Sequence, residues 1–96
     1  MASIRFLIVY RLYNKYSGEH FYTRSKNEQR FLVSNGWIHE KESDFESPGA
    51  TDVNSVPLYR MYNPYSGLHH YTTNKEEHIY NVLTGWNDEG IGWYGL

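Results

Sequence analysis

Two short runs, YRLYNKYSGEHFYT from Tyr10 and YRMYNPYSGLHHYT from Tyr59, hold most of the side chains that could do chemistry in this sequence. Each carries an arginine, a tyrosine and a histidine in the same order: Arg11, Tyr16 and His20 in the first, Arg60, Tyr65 and His69 in the second. A guanidinium presents a planar fork of donors that matches carboxylate or phosphate oxygens, and an aromatic ring stacks on the C–H face of a sugar. Together they are the parts of a saccharide or acidic-polymer site. Trp93 and Tyr94 form a second candidate platform near the C-terminal end. The same arginines could instead stack on neighbouring rings and pair with an acid such as Glu40 or Glu89, serving the fold alone.

Catalytic chemistry has a weaker basis. Paired carboxylates for glycoside hydrolysis would have to come from Asp44, Glu46, Asp52, Asp88 or Glu89, and no such pair recurs with the repeated runs. There is no cysteine nucleophile. The adjacent His69 and His70 would point to opposite faces of a strand, which does not make a metal site. Neither Ser-Gly turn has the strand-to-helix setting of a nucleophile elbow. The expectation is a non-enzyme with no catalytic residue, no metal and no cofactor.

The elements that must position these groups follow from a duplication. Tyr10 aligns with Tyr59, a displacement of 59 minus 10, or 49 residues, and Arg, Tyr, Asn, Ser-Gly, His and Gly-Trp positions then recur in place. Each unit opens with a β-branched and aromatic run, breaks at NKYSG or NPYSG, and resumes as EHFYT or LHHYT, which predicts a hairpin. Ser25 with Glu28, and Asn74 with Glu77, have the spacing of a helix cap and capping box. The two helices that follow would bury Phe31, Leu32 and Val33 or Ile79, Val82 and Leu83, and would end at Gly36 and Gly85. Trp37 and Trp86, expected in the core, lead into a last strand, Ile38–Phe45 or Trp86–Tyr94. The predicted fold is α+β: two tandem ββαβ repeats related by a pseudo-twofold, with antiparallel sheet packed against two short helices. One domain spans 1–96, with repeat 1 at about 8–46, a connector over 47–57 and repeat 2 at about 58–96.

Composition narrows the partners. Ten Tyr, four Phe and three Trp among 96 residues supply amphipathic rings well above ordinary usage. The formal net charge of -2 offers no basic surface for nucleic acid. The apolar stretch in MASIRFLIVY is too short for a signal-peptide core or a membrane span. With no disulfide available, so small a domain needs core packing or self-association for stability.

The tyrosine-rich hairpin, the capped helix and the Gly-Trp that follows it resemble a repeat of unassigned function found in secreted wall-associated proteins of Gram-positive bacteria. They are also similar to the C-terminal cell-wall-binding domain of some phage endolysins. The second unit keeps the ending Glu89, Gly90, Ile91, Gly92, Trp93 and Tyr94, whereas the first departs from it with HEKESDFES. The resemblance implies a non-catalytic module that anchors a peptidoglycan hydrolase to bacterial cell-wall polysaccharide or peptidoglycan. Tyr16, Tyr65, Arg11, Arg60, His20, His69, Trp93 and Tyr94 are the candidate binding residues. The implied partners are the catalytic domain of a full-length endolysin and sister copies in a homo-oligomer, such as a tetramer. A Met just before the module fits a binding domain also made from an internal start. The implied setting is the cytoplasm of an infected host, followed by action at the wall. The rival reading is an oligomerisation module that never meets sugar.

Overall fold

The computed structural model describes residues 6–48 and 55–95. Met1, Asp52 and positions 49–54 of the expected connector lie outside them. The chain runs β1 (Phe6–Tyr13), β2 (His20–Thr23), α1 (Lys26–Ser34), β3 (Ile38–His39), a 3-10 turn at Lys41–Ser43 and β4 (Phe45–Pro48). The second unit is β5 (Val56–Asn63), β6 (Leu68–Thr72), α2 (Lys75–Leu83) and β7 (Asn87–Gly95). The fold is α+β, with two antiparallel sheets and two helices in ββαβ-like units. In the first sheet β1 is flanked by β2 on one side and β3 on the other, and its first half pairs with β4; in the second the order is β6-β5-β7. Ser47 and Pro48, expected in the connector, close β4, and Val56 and Pro57 open β5.

Local chemistry builds the two hairpins alike. The Asn14 side chain accepts the N–H groups of Tyr16 and Ser17, and Asn63 does the same for Tyr65 and Ser66. These Asx turns start the loop. Gly18 and Gly67 close it at φ 76° and 74°, each donating its N–H to the carbonyl of the asparagine at 2.8 Å. A Cβ at either position would meet nothing within 4 Å, so only the backbone conformation opposes it. Gly18→Ala and Gly67→Ala should each cost about 1 kcal/mol in chemical denaturation, the penalty for an L-residue in the left-handed region.

Both helices start as the capping pattern predicts: Ser25 Oγ accepts the N–H of Glu28, and Asn74 Oδ1 that of Glu77. The reciprocal half of the capping box is missing. The N–H groups of Ser25 and Asn74 go to the hydroxyls of Thr23 and Thr72, which frees both glutamate side chains for other work.

Two expectations need correction. The strand expected over Ile38–Phe45 is broken by the 3-10 turn, whereas β7 runs unbroken beside β5 with register shifts around Tyr59. Leu12 pairs with His39 and Val9 with Phe45, while their repeat counterparts Met61 and Leu58 pair with Asp88 and Trp93. Six steps along the first unit thus match five along the second, and Phe45 becomes the structural counterpart of Trp93. The helices, moreover, do not bury the expected faces. Phe31, Val33, Ile79 and Leu83 are exposed, Leu32 and Val82 are half-buried, and neither helix has a buried residue. Nine-residue helices lying against narrow sheets have too little sheet to cover a full apolar stripe. Trp37 and Trp86 are half-buried beside Phe21 and His70. Among the described residues the buried apolar side chains are Val9, Leu12, Phe21 and Met61.

Candidate functional site

Four rings join the units. Tyr22 lies 5.6 Å from Tyr71 and 5.4 Å from Trp93, and Trp93 lies 5.6 Å from Phe45 and 5.3 Å from Tyr71. Equivalent positions meet here, Tyr22 with Tyr71 and Phe45 with Trp93, as a pseudo-twofold relation requires. The Tyr71 hydroxyl accepts the Tyr22 N–H at 3.0 Å and lies near the Tyr22 carbonyl. Burial pushes the Tyr71 phenol well above its ordinary range.

Beside the rings, each unit holds the same three charged or polar side chains. Arg11 Nε and His20 Nε2 face one oxygen of Glu40 at 3.0 and 3.4 Å, and Arg60 Nε and His69 Nε2 face one oxygen of Glu89 at 2.9 and 3.1 Å. The histidines also keep the same pose, each with its ring 5.0 Å from that of Tyr13 or Tyr62.

The second cluster is closed by the first unit. Glu28 receives the Arg60 fork with both oxygens, at 3.0 and 3.1 Å, and the guanidinium lies 4.7 Å from the centroid of Phe21. Glu19 accepts the His69 N–H at 2.6 Å and faces its Nδ1 at 2.9 Å. Burial acts to raise the Glu28 carboxyl, but hydrogen bonds from Arg60 and Thr23, with the charges of Arg60 and His69, outweigh it and leave the group below its ordinary range. Burial likewise opposes the charge on Arg60, and Glu28 and Glu89 more than restore it.

The expected site residues therefore divide. Arg60, His69 and Trp93 are taken up by the joint. Tyr94 is half-buried with Arg24 5.5 Å from its ring centroid. Arg11 and His20 stay partly open, and Tyr16 and Tyr65 stand at the hairpin tips, 85% and 92% exposed. Sequence reasoning read Glu28 as a cap and passed over Glu19. A visible signal was Glu19 standing where the second unit has Leu68, one of the few breaks in the repeated hairpin.

An open groove of about 660 Å³ runs along the joint, with Thr23, Arg24, Glu28 and Arg60 on its polar side and Leu7, Ile8 and Ile91 on its apolar side. Among the described residues no three His, Asp or Glu side chains are grouped so as to hold a metal ion, and no helix is long and apolar enough to cross a membrane.

The fold and this joint define a two-unit α+β domain with an aromatic seam. Residues 5–96 match the family described as a domain of unknown function, DUF5648, and the chain belongs to that family. No curated protein and no solved structure matches it.

Proposed function

We propose that the domain is a non-catalytic cell-wall-binding module that anchors a peptidoglycan hydrolase of the phage endolysin kind to the Gram-positive wall. The observation that carries this reading is the duplicated tyrosine at the tip of each hairpin. Tyr16 and Tyr65 are held outward by turns whose asparagine and glycine contacts already fix the backbone, so little ordering entropy is lost when a ring stacks on a sugar. Neither ring is needed by the core. Two such tips on one chain, multiplied in a homo-oligomer, would convert modest contacts into retention on a polymer through effective concentration. The protein would be made in an infected cell and act at the wall.

Retention by purified Gram-positive walls tests this reading, with teichoic acids removed or left in place. The Tyr16→Ala, Tyr65→Ala double variant should keep its fold, because both side chains are exposed, and lose about ten-fold or more in bound fraction, as two ring contacts of about 1 kcal/mol each imply. Undiminished retention would reject the hairpin tips as the contact.

A second reading, an oligomerisation module that does not itself bind sugar, is favoured by Phe31, Tyr80 and Leu83, which are 64%, 66% and 81% exposed on the two helices. It predicts self-association by sedimentation without wall retention.

A further inference from the structure

The two Arg-His-Glu clusters are built alike and completed differently. In the second unit two carboxylates from the first unit cover the outer donors: Glu28 on the Arg60 fork, and Glu19 on the His69 Nδ1 and N–H. For the cluster of the first unit, the repeat counterpart of Glu19 is Leu68 of the second unit, which has no carboxylate to give. Glu77, the counterpart of Glu28, is engaged by His70 of its own unit. The Arg11 fork and the His20 Nδ1 thus have no acid partner beyond Glu40 among the described residues. Asp44 is turned elsewhere, accepting the Arg11 backbone N–H at 2.9 Å and the His39 ring.

Strand geometry adds a third donor. Asn14 donates its N–H to the Glu19 carbonyl, so the next pair along the ladder, Tyr13 with His20, is the non-hydrogen-bonded kind, and the His20 N–H points away from β1. Because β2 is an edge strand, that N–H points off the sheet on the edge where Tyr71 caps the Tyr22 N–H, just as the His69 N–H that Glu19 captures points off β6. Arg11 Nε and Glu40 Oε1 are screened from water and 3.0 Å apart, yet miss hydrogen-bond alignment, whereas Arg60 Nε donates squarely to Glu89. The first cluster has the pose of the second without the carboxylates that complete it.

We infer that Arg11, His20 and the outward His20 N–H form a binding site for a carboxylate carried by the wall polymer, the open counterpart of the site that Glu28 and Glu19 fill in the second unit. The molecule itself supplies the template for the occupant. A carboxylate has the charge and two-oxygen geometry to take the guanidinium fork or the imidazole and N–H pair. The second site cannot be occupied in the same way while the joint is closed. This inference rests on the wall-binding reading for the source of the carboxylate, though not for the chemistry of the site.

Titration of the intact chain with glucuronate, with the dipeptide Ala-Ala and with neutral methyl glucoside, followed by imidazole and Arg Nε nitrogen resonances, tests it. Glucuronate or Ala-Ala should shift the His20 and Arg11 signals and leave those of His69 and Arg60 in place, with saturation in the millimolar range expected for an exposed charge-assisted contact. Which probe binds more tightly distinguishes a sugar acid from a peptide carboxylate as the source. Methyl glucoside should shift neither, and Arg11→Gln should weaken the acid's binding about ten-fold, with an unchanged amide spectrum reporting an intact fold. The wild-type titration decides even if that variant fails to fold. Silence at His20 up to about 50 mM acid, far past that affinity, overturns the inference, as do equal shifts at His20 and His69. Acid binding at His20 without wall retention would remove the wall reading alone. Wall retention with no acid binding would remove the carboxylate site alone.

Discussion

Trp93→Ala should lower the unfolding free energy by about 3 kcal/mol, the low end for deleting a large aromatic from a packed site, since Trp93 is only half-buried. The ring touches Tyr22, Phe45 and Tyr71, so its removal opens a void shared by both units and leaves Tyr71 with fewer neighbours on the apolar side. Trp93→Phe should restore most of the loss, because Phe45 already shows a phenyl ring filling the equivalent place in the first unit. Urea unfolding of the three proteins measures this directly, and Tyr65→Ala, within about 0.5 kcal/mol of the parent as an exposed substitution, is the control. A Trp93→Ala protein of parental stability that no longer bound walls would return this residue to the ligand surface.

Arg60→Met is expected to cost about 2 to 3 kcal/mol, and Arg11→Met, at the same place in the other repeat, less than about 1 kcal/mol. The difference is one of partners and burial. Arg60 serves Glu28 with a two-point contact and Glu89 with a third, at 13% side-chain exposure, whereas Arg11, at 32%, has only Glu40 as an acid partner of its side chain among the described residues. The pair also fixes the acid response. The Glu28 carboxyl is held below its ordinary range in the folded state, so its contribution is fully present above the unfolded value near 4.5 and is lost as pH falls through the lower folded value. Asp88, lowered by the Gly90 N–H and then by His78, adds to stability in the same direction at the surface. Stability measured from pH 6 down to about 3 should therefore fall more steeply in the parent than in Arg60→Met, while Arg11→Met should follow the parent. Parallel curves for all three would mean that the pair across the joint contributes nothing measurable.

Much of the architecture is legible in the residue order because it is made by neighbours. Asn14 and Gly18, with their partners Asn63 and Gly67, lie within one loop of the groups they bond, and Ser25 and Asn74 cap helices three residues away. Glu40 and Glu89 were also visible as acids that could pair with the repeated arginines. The burial of the helix faces is not legible in the sequence, for a different reason. Periodicity reports which side of a helix is apolar, and it does not report whether a sheet is wide enough to cover that side, so Phe31 and Leu83 remained in water.

The sequence by itself determined the two units, their hairpins and caps, and the tyrosine at each tip, since all of these depend on contacts a few residues apart. Only the tertiary structure decided which copy of each duplicated side chain stays free. Glu19 reaches His69 across 50 positions and Glu28 reaches Arg60 across 32, and the extra residue near the 3-10 turn sets Phe45 rather than Asp44 against Trp93. Two closely similar motifs acquire different surroundings once they pack on one another, because the joint brings Glu28 and Glu19 to the charges of one and, among the described residues, no acid across to those of the other.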